Sequence, residues 1–256
     1  MPKWNPATYL QYAGERGRPF VDLIARVPIE PRTIVDLGCG PGHLSEVLRS
    51  RWPEAGIVGI DSSPEMIERA RHNDVSTGTE YGLDDIATWR PEEPVDLIVS
   101  NAAFQWVPDQ LEIIPRLREH VAPGGTLAFQ VPNNFGESSH VLLRGLAADP
   151  RFADHIGHVE GVRGVDPQTY LGLLAADAWQ LDVWETTYLH ILQGDDPVFE
   201  WISGTGARPF LQALPEGLRA EFEVDYRAAL RAAYPRRAYG TVLPFERVFV
   251  VATRRP

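Results

Sequence analysis

Residues 33–49 admit few folds. Thr33-Ile34-Val35-Asp36-Leu37 is a short β-branched apolar run that ends abruptly in Gly38-Cys39-Gly40-Pro41-Gly42. His43 to Arg49 then places Leu44, Val47 and Leu48 at helical spacing. The unit is strand, tight glycine turn, helix, and glycine is needed there where a ligand must approach the backbone more closely than a side chain allows. A dinucleotide fingerprint would carry its third glycine at position 43, which is His43, and a P-loop would need Gly-Lys-Ser/Thr, in a chain whose only lysine is Lys3. The turn therefore suits a ligand whose carboxypropyl or sugar portion lies against backbone, rather than a pyrophosphate.

The same alternation continues downstream. Ile57 to Ile60 reads as a second buried strand closed by Asp61, and Ser63 with Pro64 supplies an N-cap and first helical residue. Met66, Ile67 and Ala70 line the inner face of that helix. A weaker third strand is expected near Thr79-Glu80-Tyr81, a fourth over Val95–Ser100, a helix over Pro108–His120, a turn at Pro123-Gly124-Gly125 and a fifth strand over Thr126–Val131. Continuous apolar strands alternating with helices predict a doubly wound α/β domain with a parallel sheet covered on both faces and right-handed crossovers.

The second half is less regular. Helices are expected over Ser138–Ala148, Pro167–Trp179, Pro197–Ile202 and Pro215–Tyr234, and strands over Leu181–Leu192 and Phe245–Thr253. The stretch Arg151–Asp166 is polar and contains glycine. Two strands separated by a long helical passage predict a sheet completed late. The organisation expected is one domain over 1–256, with a cofactor-binding core at 30–132, helical cap insertions at 133–180 and 193–240, and late strands at 181–192 and 245–253.

Composition removes several function classes. The 256 residues carry 24 basic and 35 acidic side chains, a net charge of −11, which argues against a phosphate-backbone partner. No apolar run approaches the roughly 20 residues of a membrane helix. The first ten residues lack a basic segment followed by an apolar one, so a secretory signal is not expected. The lone Cys39 permits neither an internal disulfide nor a multi-cysteine metal site. These features predict a cytoplasmic protein acting on a small molecule, with no metal, nucleic acid or membrane partner.

Asp61 stands 19 residues beyond Gly42, where an acidic side chain can accept from both hydroxyls of a ribose. That role serves NAD and S-adenosylmethionine alike. The ordered set of the Asp-x-Gly-x-Gly-x-Gly turn, Asp61 and then Asp85-Ile86 favours S-adenosylmethionine, with Asp85 accepting from the adenine amino group and Ile86 packing on its ring. Structural alternatives stand beside each residue: Asp36 as a strand-end turn residue, Asp85 as a helix cap, Cys39 as a small buried filler, His43 as helix-start packing, and Trp52, Trp89, Trp179 and Trp201 as core.

At these residues the chain resembles the class I S-adenosylmethionine-dependent methyltransferases, and within them the trans-aconitate 2-methyltransferase family. The latter resemblance is carried by Trp4-Asn5-Pro6, Tyr9-Leu10, Glu15-Arg16 and Arg18-Pro19, by Val35 to Gly42, Gly59 to Pro64 and Ser100 to Trp106, and by Trp184 to Tyr188, Gly206 to Gln212 and Phe245 to Ala252. It implies a mostly parallel seven-stranded sheet with the last strand antiparallel, and methylation of a carboxylate of trans-aconitate to a monomethyl ester, leaving S-adenosylhomocysteine. Cofactor contacts are expected from Asp36, Gly38, Gly40, Gly42, Asp61, Ser62, Met66, Asp85, Ile86 and Asn101.

A carboxylate acceptor, with a pKa of about 4, is ionised at neutral pH, so no general base is expected and the protein has only to align the reactants. A polycarboxylate must nevertheless bind to an acidic protein, which calls for arginines offering bidentate contacts. Arg16, Arg18, Arg208 and Arg247 are the candidates, with Trp4, Tyr9, Gln105, Trp106, Gln130 and His140 lining the pocket. Other small-molecule acceptors, a nicotinamide-dependent oxidoreductase (disfavoured by His43) and a non-catalytic cofactor-binding regulator are the alternative readings.

Overall fold

The computed structural model describes residue 14 and residues 17–74, 78–159 and 164–256. They form two compact units, the first made of Met1–Val131, Val165–Thr186 and Arg247–Pro256, the second of Pro132–Gly164 and Thr187–Glu246.

Strands β1 (Thr33–Leu37), β2 (Gly56–Asp61), β3 (Glu80–Leu83), β4 (Val95–Asn101), β5 (Val121–Pro132), β6 (Trp179–Leu192) and β7 (Thr241–Arg254) form one sheet in the order β3-β2-β1-β4-β5-β7-β6. β1 to β5 run parallel, and β7 is antiparallel. Val35 of β1 is flanked by Val58 of β2 and Ile98 of β4. Ile34 to Leu37 are all buried, as expected for a central strand covered on both faces. The chain order reverses at β1, so the crevice at the carboxyl ends of β1 and β4 is where such sheets hold ligands.

Helices α1 (Arg18–Ala25), α2 (Ser45–Arg51), α3 (Pro64–Asn73), α4 (Gln110–Leu117) and α7 (Pro167–Leu174) belong to this first unit. The α3 start is the one expected: Ser63 Oγ accepts from the Met66 N–H at 3.3 Å, with Pro64 at the first helical position. α4 is shorter than Pro108–His120. Asp109, in the left-handed region at φ 56°, sets its start, and Arg118–His120 tightens into a 3-10 turn.

Pro123-Gly124-Gly125, expected as a turn ahead of the strand, is instead an excursion within β5. Val121 pairs with Val95 and Thr126 with Leu97, so residues 122–125 bulge out between the two. Gly125 is required there, since a Cβ would lie 2.7 Å from the Asp96 carbonyl oxygen.

The helix expected over Pro167–Trp179 ends at Leu174, and Trp179 opens β6. Residues 165–180, assigned by sequence to the cap, fold with the sheet. Tyr170 and Leu174 are fully buried in the core cluster that contains Phe104, Phe129 and Val250. Phe129 stands between Phe104 and Tyr170 in edge-to-face contacts at 5.1 and 5.2 Å.

The second unit is helical apart from its parts of β6 and β7. It contains α5 (Ser138–Ala147), α6 (Ala153–Ile156), α8 (Pro197–Ser203), α9 (Arg208–Ala213) and α10 (Glu216–Ala233). The sequence reading missed α6 and α9, which at four and six residues are too short to show a helical period. Its own core includes Leu143, Phe152, Ile156, Phe210, Phe222 and Tyr226. Phe222 meets Phe152 edge-on at 5.2 Å. Two buried hydroxyls pin the start of α5: Tyr226 donates to the Ser139 carbonyl and Tyr234 accepts from the Ser139 N–H, each at 2.8 Å.

Phe222 is wholly buried in a core of this unit's own. Phe222→Ala should therefore lower the unfolding free energy by about 3–5 kcal/mol, read from the shift in the urea transition. A loss below about 1 kcal/mol would mean that the second unit contributes little to cooperative stability.

Candidate cofactor cleft and acceptor residues

The site begins at the carboxyl end of β1. Gly38, Gly40 and Gly42 all have left-handed φ, at 78°, 57° and 74°, so the turn requires a residue without a Cβ at each. Gly38 is also hemmed in by Ala103, which a Cβ would overlap, and a Cβ at Gly42 would lie 2.7 Å from the Tyr81 hydroxyl. Gly40 differs: a Cβ there would meet nothing within 4 Å, so the backbone at this position faces open space. The Gly38 and Cys39 N–H groups both donate to the Ile60 carbonyl, at 2.8 and 3.0 Å, which ties the turn to β2.

Asp61, at the end of β2, completes the attachment. One carboxylate oxygen accepts from the Gly40 N–H and the other from the Ser63 N–H, each at 2.9 Å. An ionised carboxylate has about four acceptor positions, so two remain for a ligand. A cavity of about 300 Å³ opens beside it, lined by Gly38, Asp61, Ser62, Asp85, Ile86, Ala102, Ala103, Trp106, Val107 and Pro108. Ile86 is buried and presents an apolar wall, whereas Trp106 is 54% exposed. Asp85 has one oxygen engaged by the Ala87 N–H at 2.8 Å, so it serves its own turn as well as facing the cavity.

Asp36 lies behind this turn at 2% exposure, and its Oδ1 has no hydrogen-bond partner. Burial, and then the charge of Asp61, push its carboxyl up to about 7. A buried carboxylate with an unused oxygen is stabilised by a nearby cation. Cys39 is buried and its thiol is pushed strongly upward by burial and by Asp36 and Asp61, so it is not a nucleophile.

The structure therefore brings Gly38, Asp61, Ser62, Asp85, Ile86 and Trp106 to one cleft. Met66, expected there, is not among the lining residues; its backbone N–H serves the α3 cap. Gly40 and Gly42 shape the turn. Ala102, Ala103, Val107 and Pro108 were missed. Ala102 has φ 54°, a strained value for alanine, held because its N–H donates to the Gln130 carbonyl at 2.9 Å. The Gln105 side-chain amide also donates to the Ala102 carbonyl. Only the position of these residues, just after a buried strand, could have pointed to them.

Asn101, Gln130 and Arg247 form a line across β4, β5 and β7. Asn101 and Gln130 are register partners at the ends of their strands, and the Gln130 amide nitrogen donates to Asn101 Oδ1. Arg247, at 4% exposure, donates from Nη1 to Gln130 Oε1 at 2.9 Å. Arg18 is exposed at the start of α1. Arg208 is exposed at the start of α9 in the second unit, and His140 lines a separate cavity within that unit. Trp4, Tyr9 and Arg16 lie outside the described residues.

The residues present fit S-adenosylmethionine. Carboxylates line the cleft, no basic side chain does so among the described residues, an apolar wall faces them, and an unpartnered buried carboxylate oxygen stands behind the turn. Sheet order, reversed β7 and acid-lined cleft together define an S-adenosylmethionine-dependent methyltransferase.

Comparison with known proteins agrees. A methyltransferase-domain family model matches residues 9–163. Among solved structures, the chain superposes on an S-adenosylmethionine-dependent methyltransferase from Mesorhizobium loti with TM-score 0.53 at 20% identity, covering 94% of this chain and 99% of that one. The YcgJ protein of Bacillus gives TM-score 0.55 at 14% identity, with 98% of each chain covered. Trans-aconitate 2-methyltransferase of Streptomyces coelicolor is 49% identical over 100% of this chain and 88% of its own length. The enzyme of that name from Methylobacterium nodulans is 45% identical over 99% of each chain. The chain belongs to the trans-aconitate 2-methyltransferase family.

Two outcomes follow for the cleft. Asp61→Ala removes the anchor of the turn and a carboxylate that lines the cleft, and should weaken S-adenosylhomocysteine binding by about 1–3 kcal/mol by calorimetry; unchanged affinity would place the nucleoside elsewhere. Asp36 has its folded pKa raised from 3.8 to about 7, so its contribution to stability is complete below pH about 4 and is lost as pH rises through about 7. In the ligand-free protein Asp36→Asn should therefore flatten the decline of the melting temperature over that interval, and equal slopes for both proteins would contradict the shift.

Proposed function

We propose that the chain transfers the methyl group of S-adenosylmethionine to a carboxylate oxygen of trans-aconitate, releasing S-adenosylhomocysteine and a monomethyl ester. The names of the full-length relatives support this acceptor, and the observation that carries it in the structure is the Arg247–Gln130–Asn101 line, in which Arg247 and Gln130 are buried. The bound cofactor supplies an electrophilic methyl group on a positively charged sulfur.

Asp61, which ties down the glycine turn, would hold the ribose, Asp85 and Ile86 would take the adenine, and Asp36 would offer negative charge behind the turn to the cofactor's cationic end. Arg247 is oriented by Gln130, itself fixed by Asn101, so its guanidinium is pre-positioned for an acceptor carboxylate at little further entropic cost. Trp106 forms an exposed wall beside the cofactor cleft. The acceptor oxygen is already ionised, so no side chain has to remove a proton. That oxygen would take the methyl group of the cofactor held there, with the C–S electron pair retained by the sulfur of the released product. The residues' work is alignment and exclusion of water.

Incubation with methyl-labelled S-adenosylmethionine and trans-aconitate should yield a base-labile labelled ester, and label no higher than in a control without acceptor would reject the assignment. Arg247→Gln should raise KM for the tricarboxylate roughly tenfold or more, as expected for a lost charge-assisted contact of about 1.5–3 kcal/mol, with little change in cofactor affinity. A variant with wild-type KM would remove Arg247 from the acceptor site.

A further inference from the structure

The second unit contains a cavity of about 890 Å³ whose described lining residues all belong to that unit. Its walls are mainly apolar, with Leu143, Ile156 and Phe210 among them, and its polar side chains are His140, Arg144 and His158. No aspartate or glutamate is among the described lining residues, although the chain carries a net charge of −11. Among the described lining residues the ionisable side chains are thus basic here and acidic in the cofactor cleft.

His140 and Arg144 stand one helical turn apart on α5 and face the same space. His140 is 8% exposed, and among the described residues its imidazole makes no hydrogen bond, but it meets Phe135 edge-on at 5.0 Å. Burial and the neighbouring Arg144 lower it to about 4, so it is neutral at physiological pH, one nitrogen donating and the other accepting. The room for this ring is made by Gly206, where a Cβ would lie 2.6 Å from His140 Cε1. The Arg144 guanidinium is exposed and has neither a hydrogen bond nor an ion pair among the described residues. A buried imidazole N–H and an adjacent cation, neither spent on a partner among the described residues, are groups that a bound anion would complete.

A tricarboxylate does not match this lining: it would set three charges against one permanent cation, and its small polar body would leave the apolar walls unused. We propose that this cavity binds a monocarboxylate with an apolar body, the carboxylate held by Arg144 and the His140 N–H and the hydrocarbon lying against Leu143, Ile156 and Phe210. The site is additional to the acceptor reading, which rests on Arg247.

Calorimetry on the full chain with 4-phenylbutyrate as the probe tests this. Saturable binding is expected, with the neutral 4-phenylbutan-1-ol at least tenfold weaker. Arg144→Gln, on an exposed side chain, should also bind the acid at least tenfold more weakly. Gly206→Ala, which drives a methyl group into the His140 ring, should do likewise. Both variants should keep wild-type affinity for S-adenosylhomocysteine, as a check that they fold. Absence of saturable binding to the wild type, equal affinity for acid and alcohol, or undiminished binding by Arg144→Gln would each overturn the proposal.

Discussion

The Asp61 carboxylate, shared between the Gly40 and Ser63 N–H groups, is the contact on which the site depends. With it the glycine turn after β1 is tied to the entry of α3, two loops at the carboxyl edge of the sheet held through one side chain. The geometry also leaves half of the carboxylate's acceptor capacity facing the cleft. A single side chain is therefore both an architectural tie and part of the cleft lining. Gly38 and Gly42 have the reverse character: each is glycine because its neighbours, Ala103 and Tyr81, leave no volume for anything larger.

An acidic chain handling a cationic cofactor and an anionic acceptor faces a problem of local field rather than of net charge. Asp61 and Asp85 at the cleft, with Asp36 behind the turn, suit a cation; Arg247, held by Gln130, is a buried positive group among β4, β5 and β7. Burial strengthens the fields of Asp36 and Arg247, since charges in the interior are screened far less than those on the surface. In the second unit, Arg144 and His140 create another positive locality in a mainly apolar cavity. These fields are set by a few side chains against the bulk composition.

Much of the first unit was legible because local chemistry and tertiary demand agree there. The β1 run, the glycine turn, the Ser63-Pro64 cap and Asp61 each carry a short-range signature, and each occupies the place its signature implies. Features set by distant neighbours were not legible. The left-handed Ala102 is held by β5, nearly thirty residues away. The Gln130–Arg247 contact joins strands 117 positions apart, so Arg247 had no local mark distinguishing it from surface arginines. Trp179 was read into a helix because aromatic residues suit both states, and only pairing at the sheet edge makes it a strand. The β5 excursion at Pro123-Gly124-Gly125 had the residues of a turn but the setting of a bulge.

The strand order also bears on how the chain acquires its structure during synthesis. β7 lies between β5 and the edge strand β6, so the last strand made fills an interior place in the finished sheet. The five parallel strands can pair as they emerge from the ribosome, but the far edge of β5 stays bare until residues 241–254 are released. That edge ends in a run of seven consecutive buried residues, Gly125 to Val131, between the half-buried Gly124 and Pro132. Until translation is complete it is an open template for the wrong partner, and a ribosome halted upstream of β7 leaves a nearly finished sheet with its most apolar border unsealed.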